Sequence, residues 1–356
     1  MEYTERKYKV AGHVFSVILD APWCFMHYTP AVAERIARAR RGEAIISGEE
    51  TLMPTRAGDD IPARTFVKKR SERPADFHAH MLDFSQYEPF FYDGDEPAAF
   101  SLHVLDGEPG DFAPQELSLI MKIDKEPPFY DIFQYRGGTI YQYLAENGTV
   151  NGTLWVKEGG KEASFWSGQQ GRPYADVFHI GISLMILFTY ATSRKGTLLM
   201  HASVIRKNGM AQMFLGLSGT GKSTHSRLWL EAIPECDLVN DDNPALRILP
   251  DGQLLVYGTP WSGKTPCYRN LAVPVRAIVR LEQAPENRIE PLNGLQAYAS
   301  VLASCSTIRW ERPIMDAISA TAEQVIGHAR CFHLHCRPDT DAARLCCQAI
   351  GADNSF

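Results

Sequence analysis

The chain offers few of the devices that assign proteins to a class at sight. Its eight cysteines, at positions 24, 236, 267, 305, 331, 336, 346 and 347, form no CxxC pair. At 356 residues the chain is long enough to fold without disulfide staples, so a disulfide scaffold is not expected. The N-terminus, MEYTERKYKVAGHVF, has no long apolar core followed by a small-residue cleavage site, and a cytoplasmic protein is expected. The most apolar run, roughly Ile180 to Ala191, is too short to span a bilayer and predicts a buried helix with no membrane partner. A net charge of -6 excludes a broadly basic nucleic-acid surface, though not a local phosphate pocket. Internal repeats, low-complexity tracts and coiled-coil heptads are also missing.

What is present is an ordinary globular composition, 45% hydrophobic and 22% charged, in a length that favours two domains. We divide it into a mainly antiparallel β region, 1–173, for recognition or assembly, and a nucleotide-binding domain, 174–356. In the first, Val10 to Leu19 predicts a strand and Ala31 to Arg41 a short basic helix. Residues 50 to 78 read as an irregular connection. Strands follow at Ala99–Val104, Leu117–Ile123, Tyr130–Tyr135, Thr139–Ala145, Thr153–Lys157 and Ala163–Ser167, in the pattern of a meander. The Asn147-Gly148 and Asn151-Gly152 pairs read as turns. In the second, Ala175 to Thr192 predicts a buried helix, and Leu198–Ile205 and Ala211–Leu215 a hairpin about Lys207-Asn208-Gly209. Mixed hairpins and helices then alternate to the C-terminus.

The strongest motif is Gly216-Leu217-Ser218-Gly219-Thr220-Gly221-Lys222-Ser223-Thr224, which satisfies G-x-x-x-x-G-K-[ST] between an apolar strand and a helix. Glycines let the backbone curl around phosphate oxygens, and several N–H groups and the helix N-terminus then face one anion. Lys222 would reach the β- and γ-phosphates of ATP, and the Ser223 hydroxyl would ligate Mg2+.

Downstream, Asp241 and Asp242 end a short apolar strand. One is suited to hold the metal and the other to accept a proton, unless both are solvated in an Asx-turn. His201 follows an apolar run and is either a structural histidine or a site residue. Lys264 and Arg269, in and after Gly258-Thr259-Pro260-Trp261-Ser262-Gly263, would stabilise developing negative charge, or else belong to a surface loop packed through Trp261. Cys331, His333, His335 and Cys336 are close in sequence. On a strand, however, Cys336 turns away from the other three, which disfavours a shared metal.

The order of histidine strand, phosphate loop and paired aspartates, over roughly residues 196 to 282, resembles the HPr kinase/phosphorylase and phosphoenolpyruvate carboxykinase superfamily. The resemblance implies a mixed-sheet α/β P-loop kinase domain and an ATP- and Mg2+-dependent kinase of the HPr kinase-like type. It places Asp241 as general base, Ser223 and Asp242 on the metal, Lys222 on the phosphates and His201 near the reaction centre. It also implies a homo-oligomer. The acceptor would be a hydroxyl of a protein, peptide or small molecule. The alternatives are a carboxykinase-like nucleotide-dependent decarboxylation and a non-catalytic nucleotide-binding or sensing protein.

Overall fold

The computed structural model describes residues 3–20, 23–25, 81–107, 109, 112–124, 128–168, 173–263 and 265–352. The helix expected at Ala31–Arg41 and the connection at 50–78 lie outside them. The described residues fall into two compact units, one ending at Thr192 and the other beginning at Ser193. Both are mixed α/β. The apolar helix therefore belongs with the N-terminal strands and not, as expected, with the phosphate loop.

In the first unit the strands are β1 (Tyr3–Val10), β2 (His13–Asp20), β3 (Cys24–Phe25), β4 (Met81–Leu82), β5 (Phe91–Tyr92), β6 (Ser101–Leu105), β7 (Ser118–Ile123), β8 (Phe129–Tyr135), β9 (Gly138–Leu144), β10 (Val150–Val156) and β11 (Glu162–Ser167). Nine of them form one sheet in the order β5-β1-β2-β6-β11-β10-β9-β8-β7. The meander from β7 to β11 is antiparallel, as its turn signals predict. Two findings differ from expectation. Val10–Leu19 is not one strand but the hinge of a hairpin, turned at Ala11 and Gly12 with φ of 50° and 76°. Asn151-Gly152 lies inside β10 at a register shift and makes no turn, whereas Asn147 does cap its turn by accepting the Thr149 N–H at 3.0 Å. Moreover, β6 pairs in parallel with both β2 and β11, which no local pattern announces.

Helix α1 (Pro173–Thr192) packs on β10 and β11. It is long and apolar enough, by length and composition, to cross a membrane. Here that apolarity is spent on its own sheet: the Tyr143 hydroxyl bonds Ser183 at 2.9 Å, and His179 stacks on the Tyr143 ring at 4.9 Å. Burial pushes the His179 imidazole down to about 4.

In the second unit the strands are β12 (Thr197–Leu199), β13 (Ala202–Lys207), β14 (Met210–Leu215), β15 (Cys236–Asp242), β16 (Ala245–Ile248), β17 (Leu254–Tyr257), β18 (Ala272–Gln283), β19 (Arg288–Pro291) and β20 (Arg330–Cys336). The helices are α2 (Lys222–Ala232), α3 (Gly294–Ala303), α4 (Arg312–His328) and α5 (Thr340–Ala349). The sheet runs β12-β16-β17-β18-β14-β13-β15, with β20 beside β18 and β19 beside β20. The pairs β14–β18 and β18–β20 are parallel, so the C-terminal ends of these three strands share one edge of the unit. One sheet face packs on α2 and α5 through Phe214, Trp229, Val279, Leu281, Phe332 and Leu334. Cys336, Cys346 and Cys347 are buried in that same core and are free thiols.

The strand expected at Leu198–Ile205 is broken at Met200 and His201. Its first part pairs with β16 and its second with β14 and β15. The break lifts His201 out of the core, leaving it 41% exposed.

Candidate functional site

The phosphate loop leaves β14 at Leu215 and enters α2 at Lys222. Gly219 and Gly221 hold φ of 80° and 103°, where a side chain would be strained, so both must be glycine for this path. Gly221 caps α2 in the left-handed conformation and contributes no side chain, which leaves the first N–H groups of the helix for another acceptor. Lys222 folds back over the loop and donates to the carbonyls of Gly216 at 2.9 Å and Leu217 at 3.3 Å. Burial pulls its ammonium below the ordinary lysine range, while Asp242 and Asp241 oppose that shift. Thr220 pins the loop by donating its hydroxyl to Leu217 O at 2.7 Å. From β18, the Gln283 amide donates to the carbonyls of Gly219 and Thr220 at 3.2 and 3.4 Å.

The register of β13 on β15 sets Ser203 opposite Asp241. The Ser203 hydroxyl donates to Asp241 Oδ1 at 2.7 Å and lies 2.5 Å from Ser226 of α2. Ser223 of the loop and Thr265 also act on the Asp241 carboxylate, favouring its charged form. Burial raises the Asp241 carboxyl above its usual range, against these hydroxyls and Lys222. Its neighbour faces elsewhere, as alternation on a strand requires. Asp242 Oδ1 lies 3.4 Å from His201 Nε2, and both side chains are more than a third exposed. Burial, and then the charge of Asp241, push Asp242 up to about 6. His201 is pulled down by burial and by Lys222.

The loop after β17 completes the wall. Thr259 is fully buried, donates to Asn243 O at 2.6 Å and accepts from the Asn240 amide at 3.2 Å, tying the loop to the aspartate end of β15. Trp261 is buried there and accepts from Asn243 N–H at 3.1 Å. Gly263 lies against Asp242, where an added Cβ would meet the carboxylate at 3.1 Å.

The structure thus brings Gly216–Thr224, His201, Asp241 and Asp242 together. It takes Arg269 elsewhere. The Arg269 guanidinium donates to Asp237 at 2.7 Å and to Leu238 O at 2.5 Å, and Arg206 grips the same carboxylate from the other side at 2.6 and 2.9 Å. Asp237 is four residues from Asp241 along one strand, about 13 Å, so Arg269 is a structural cation at the far end of β15. Lys264 lies outside the described residues. Ser203, Ser226 and Thr265 escaped the sequence reading, since only strand register and loop folding bring them to Asp241. Cys336 turns into the core, as strand alternation predicts, so the Cys331–Cys336 segment does not form a four-residue metal site.

Oxygen donors suited to a divalent ion are present in the Ser223 hydroxyl and the Asp242 carboxylate, with the His201 imidazole beside them.

A family model described as SynChlorMet cassette protein ScmC matches residues 173–329. That span is less than half of the chain, and it begins in α1 and ends at the close of α4. A curated ATP-dependent phosphoenolpyruvate carboxykinase from Caldanaerobacter subterraneus subsp. tengcongensis is 46% identical over 61 residues, 17% of this chain. The chain spans only 11% of that relative's length. These matches overturn the assignment to an HPr kinase-like kinase of carboxykinase fold. The family model that fits is a different one, and the carboxykinase likeness is confined to one short stretch.

Proposed function

We propose that the unit beginning at Ser193 binds a nucleoside triphosphate with a divalent ion at residues 216–224, and couples it to a carboxykinase-like decarboxylation. In such a reaction a β-keto acid loses CO2 and leaves its electron pair as an enolate. The enolate oxygen then forms a bond to the terminal phosphorus as the bond to the diphosphate breaks. The loop and buried Lys222 would hold the phosphates, and Ser223 and Asp242 would hold the ion, which when bound offsets phosphate charge.

One observation carries the choice of acceptor. Asp241 is 6% exposed, the Ser203 hydroxyl donates to it at 2.7 Å, and the Ser223 and Thr265 hydroxyls act on it to favour the charged carboxylate. A carboxylate so engaged is poorly free to take a proton from an incoming hydroxyl, as a kinase of alcohols would need. An enolate oxygen already carries its charge and needs no base. The short carboxykinase likeness points the same way.

A second reading, nucleotide binding without turnover, is favoured by Arg269. The cation expected to face the transferring phosphoryl group is locked to Asp237.

Calorimetry with ATP–Mg, alongside an assay of CO2 release from oxaloacetate with ATP or GTP, separates these readings. Nucleotide-dependent release supports the first, and binding without release supports the second. Absence of binding by every nucleoside di- and triphosphate rejects both.

A further inference from the structure

Away from the phosphate loop, β18 and β20 build a second cluster on the sheet face opposite α2 and α5. Leu281, Phe332, Leu334 and Cys336 take the α2/α5 face. Alternation therefore turns Glu282, His333 and His335 to the other face. Parallel pairing sets Glu282 beside His335, and antiparallel pairing sets Glu290 of β19 beside His333. We propose that Glu282, His333 and His335 form a binding site for a divalent transition-metal ion of the zinc type, with Glu290 as the outer partner of His335.

The distances are those of a site ready to close on an ion. His333 Nε2 lies 3.0 Å from Glu282 Oε2, and His335 Nδ1 lies 3.9 Å from Glu282 Oε1. Ligand atoms of the three residues all fall within 4.8 Å of one another. Tetrahedral zinc with bonds near 2.05 Å separates its ligand atoms by about 3.3 Å, so small side-chain rotations suffice.

The ring nitrogens are also placed without satisfying one another. His333 Nε2 is buried and close to the carboxylate, yet off hydrogen-bonding geometry, and the two imidazole rings lie with centroids 4.0 Å apart and planes tilted by 40°. Two imidazoles and a carboxylate that converge in this way are better satisfied by a shared cation than by each other.

On the far side of His335, Nε2 lies 3.6 Å from Glu290 Oε1. A small rotation that closes this gap gives the carboxylate–histidine–metal arrangement, in which the outer carboxylate fixes the ring while the inner nitrogen ligates. Half-exposed Glu282 leaves the fourth position open to solvent or to an anionic ligand. Arg280, 3.9 Å from the same carboxylate and half exposed, must yield Glu282 when the ion enters.

The test uses the full chain, stripped with chelator and titrated with zinc chloride without nucleotide, so its outcome is independent of the phosphate loop. Expected is one zinc per chain, with affinity reduced about 100-fold or more in His335→Ala, since even outer partners cost 10–100-fold. Glu282→Gln, at a half-exposed position where misfolding is not expected, should show the same loss. Cys331→Ser and Asp242→Asn should bind as the parent does. Cobalt loaded in place of zinc should show a nitrogen–oxygen spectrum without a thiolate charge-transfer band. Absence of stoichiometric zinc uptake overturns the proposal. So does uptake indifferent to His335 and Glu282, or uptake lost in Asp242→Asn or Cys331→Ser.

Discussion

Replacing Arg269 by alanine separates a structural cation from a catalytic one. Arg269 and Asp237 are 6% and 11% exposed, and the guanidinium also caps Leu238 O. Removing one member of a buried pair costs about 3–5 kcal/mol, because the remaining charge is stranded. Here Arg206 keeps both carboxylate oxygens of Asp237, so the loss should sit near the lower end, about 3 kcal/mol. For a unit of this size that corresponds to a fall in Tm of about 6–12 °C. Arg206→Ala should cost less, since Arg206 is a third exposed and Arg269 stays in place. Thermal denaturation of both variants, followed by nucleotide calorimetry well below their Tm, gives the two readouts. The folded Arg269→Ala protein should bind ATP–Mg like the parent. Unchanged Tm with lost nucleotide binding or turnover would refute the structural role and return Arg269 to the site.

Lys222→Ala should weaken ATP–Mg binding by about 10–150-fold, the worth of a hydrogen bond to a charged group, as read by calorimetry. Because the folded Asp242 carboxyl is raised to about 6, it is protonated at pH values where an ordinary aspartate is ionised. Affinity for the metal–nucleotide should therefore fall as pH drops through 6, by up to about tenfold per unit. Asp242→Asn should flatten that profile, and a parent profile already flat between pH 5 and about 7 would remove Asp242 from the metal. Ser203→Ala withdraws one donor from buried Asp241 and should cost about 1 kcal/mol in urea denaturation. It should also raise the proton affinity of Asp241 further, since the Ser203 hydroxyl acts to lower it.

Much of the second unit was legible because its signals are local. The Asn208-Gly209 turn has both residues at positive φ, as its hairpin demands. The phosphate loop runs from strand to helix where its glycines and Lys222 place it. The apolar helix was recognised, but not its allegiance. Hydropathy says that a surface must be covered, and Tyr143 and Ser183 decide which sheet covers it. The hairpin at Ala11-Gly12 was missed because the apolar run continues straight through the turn, with no Asn-Gly or Asp-Gly to interrupt it.

By itself, the order of residues determined what depends on neighbours along the chain: the glycine-rich loop between strand and helix, the alternation that turns Cys336 away from His335, and the pair of aspartates pointing to different faces. Tertiary structure alone decided which distant groups share a charge. Arg269 lies 32 residues from Asp237, and Glu282 more than 50 from His335, so no local pattern could have joined either pair. Folding brought them together: a break between β12 and β13 exposed His201, the loop before β18 carried Arg269 to Asp237, and strand register gathered two histidines around a carboxylate. Register is set by how whole faces bury their apolar side chains, a property of the assembled sheet and not of any one segment.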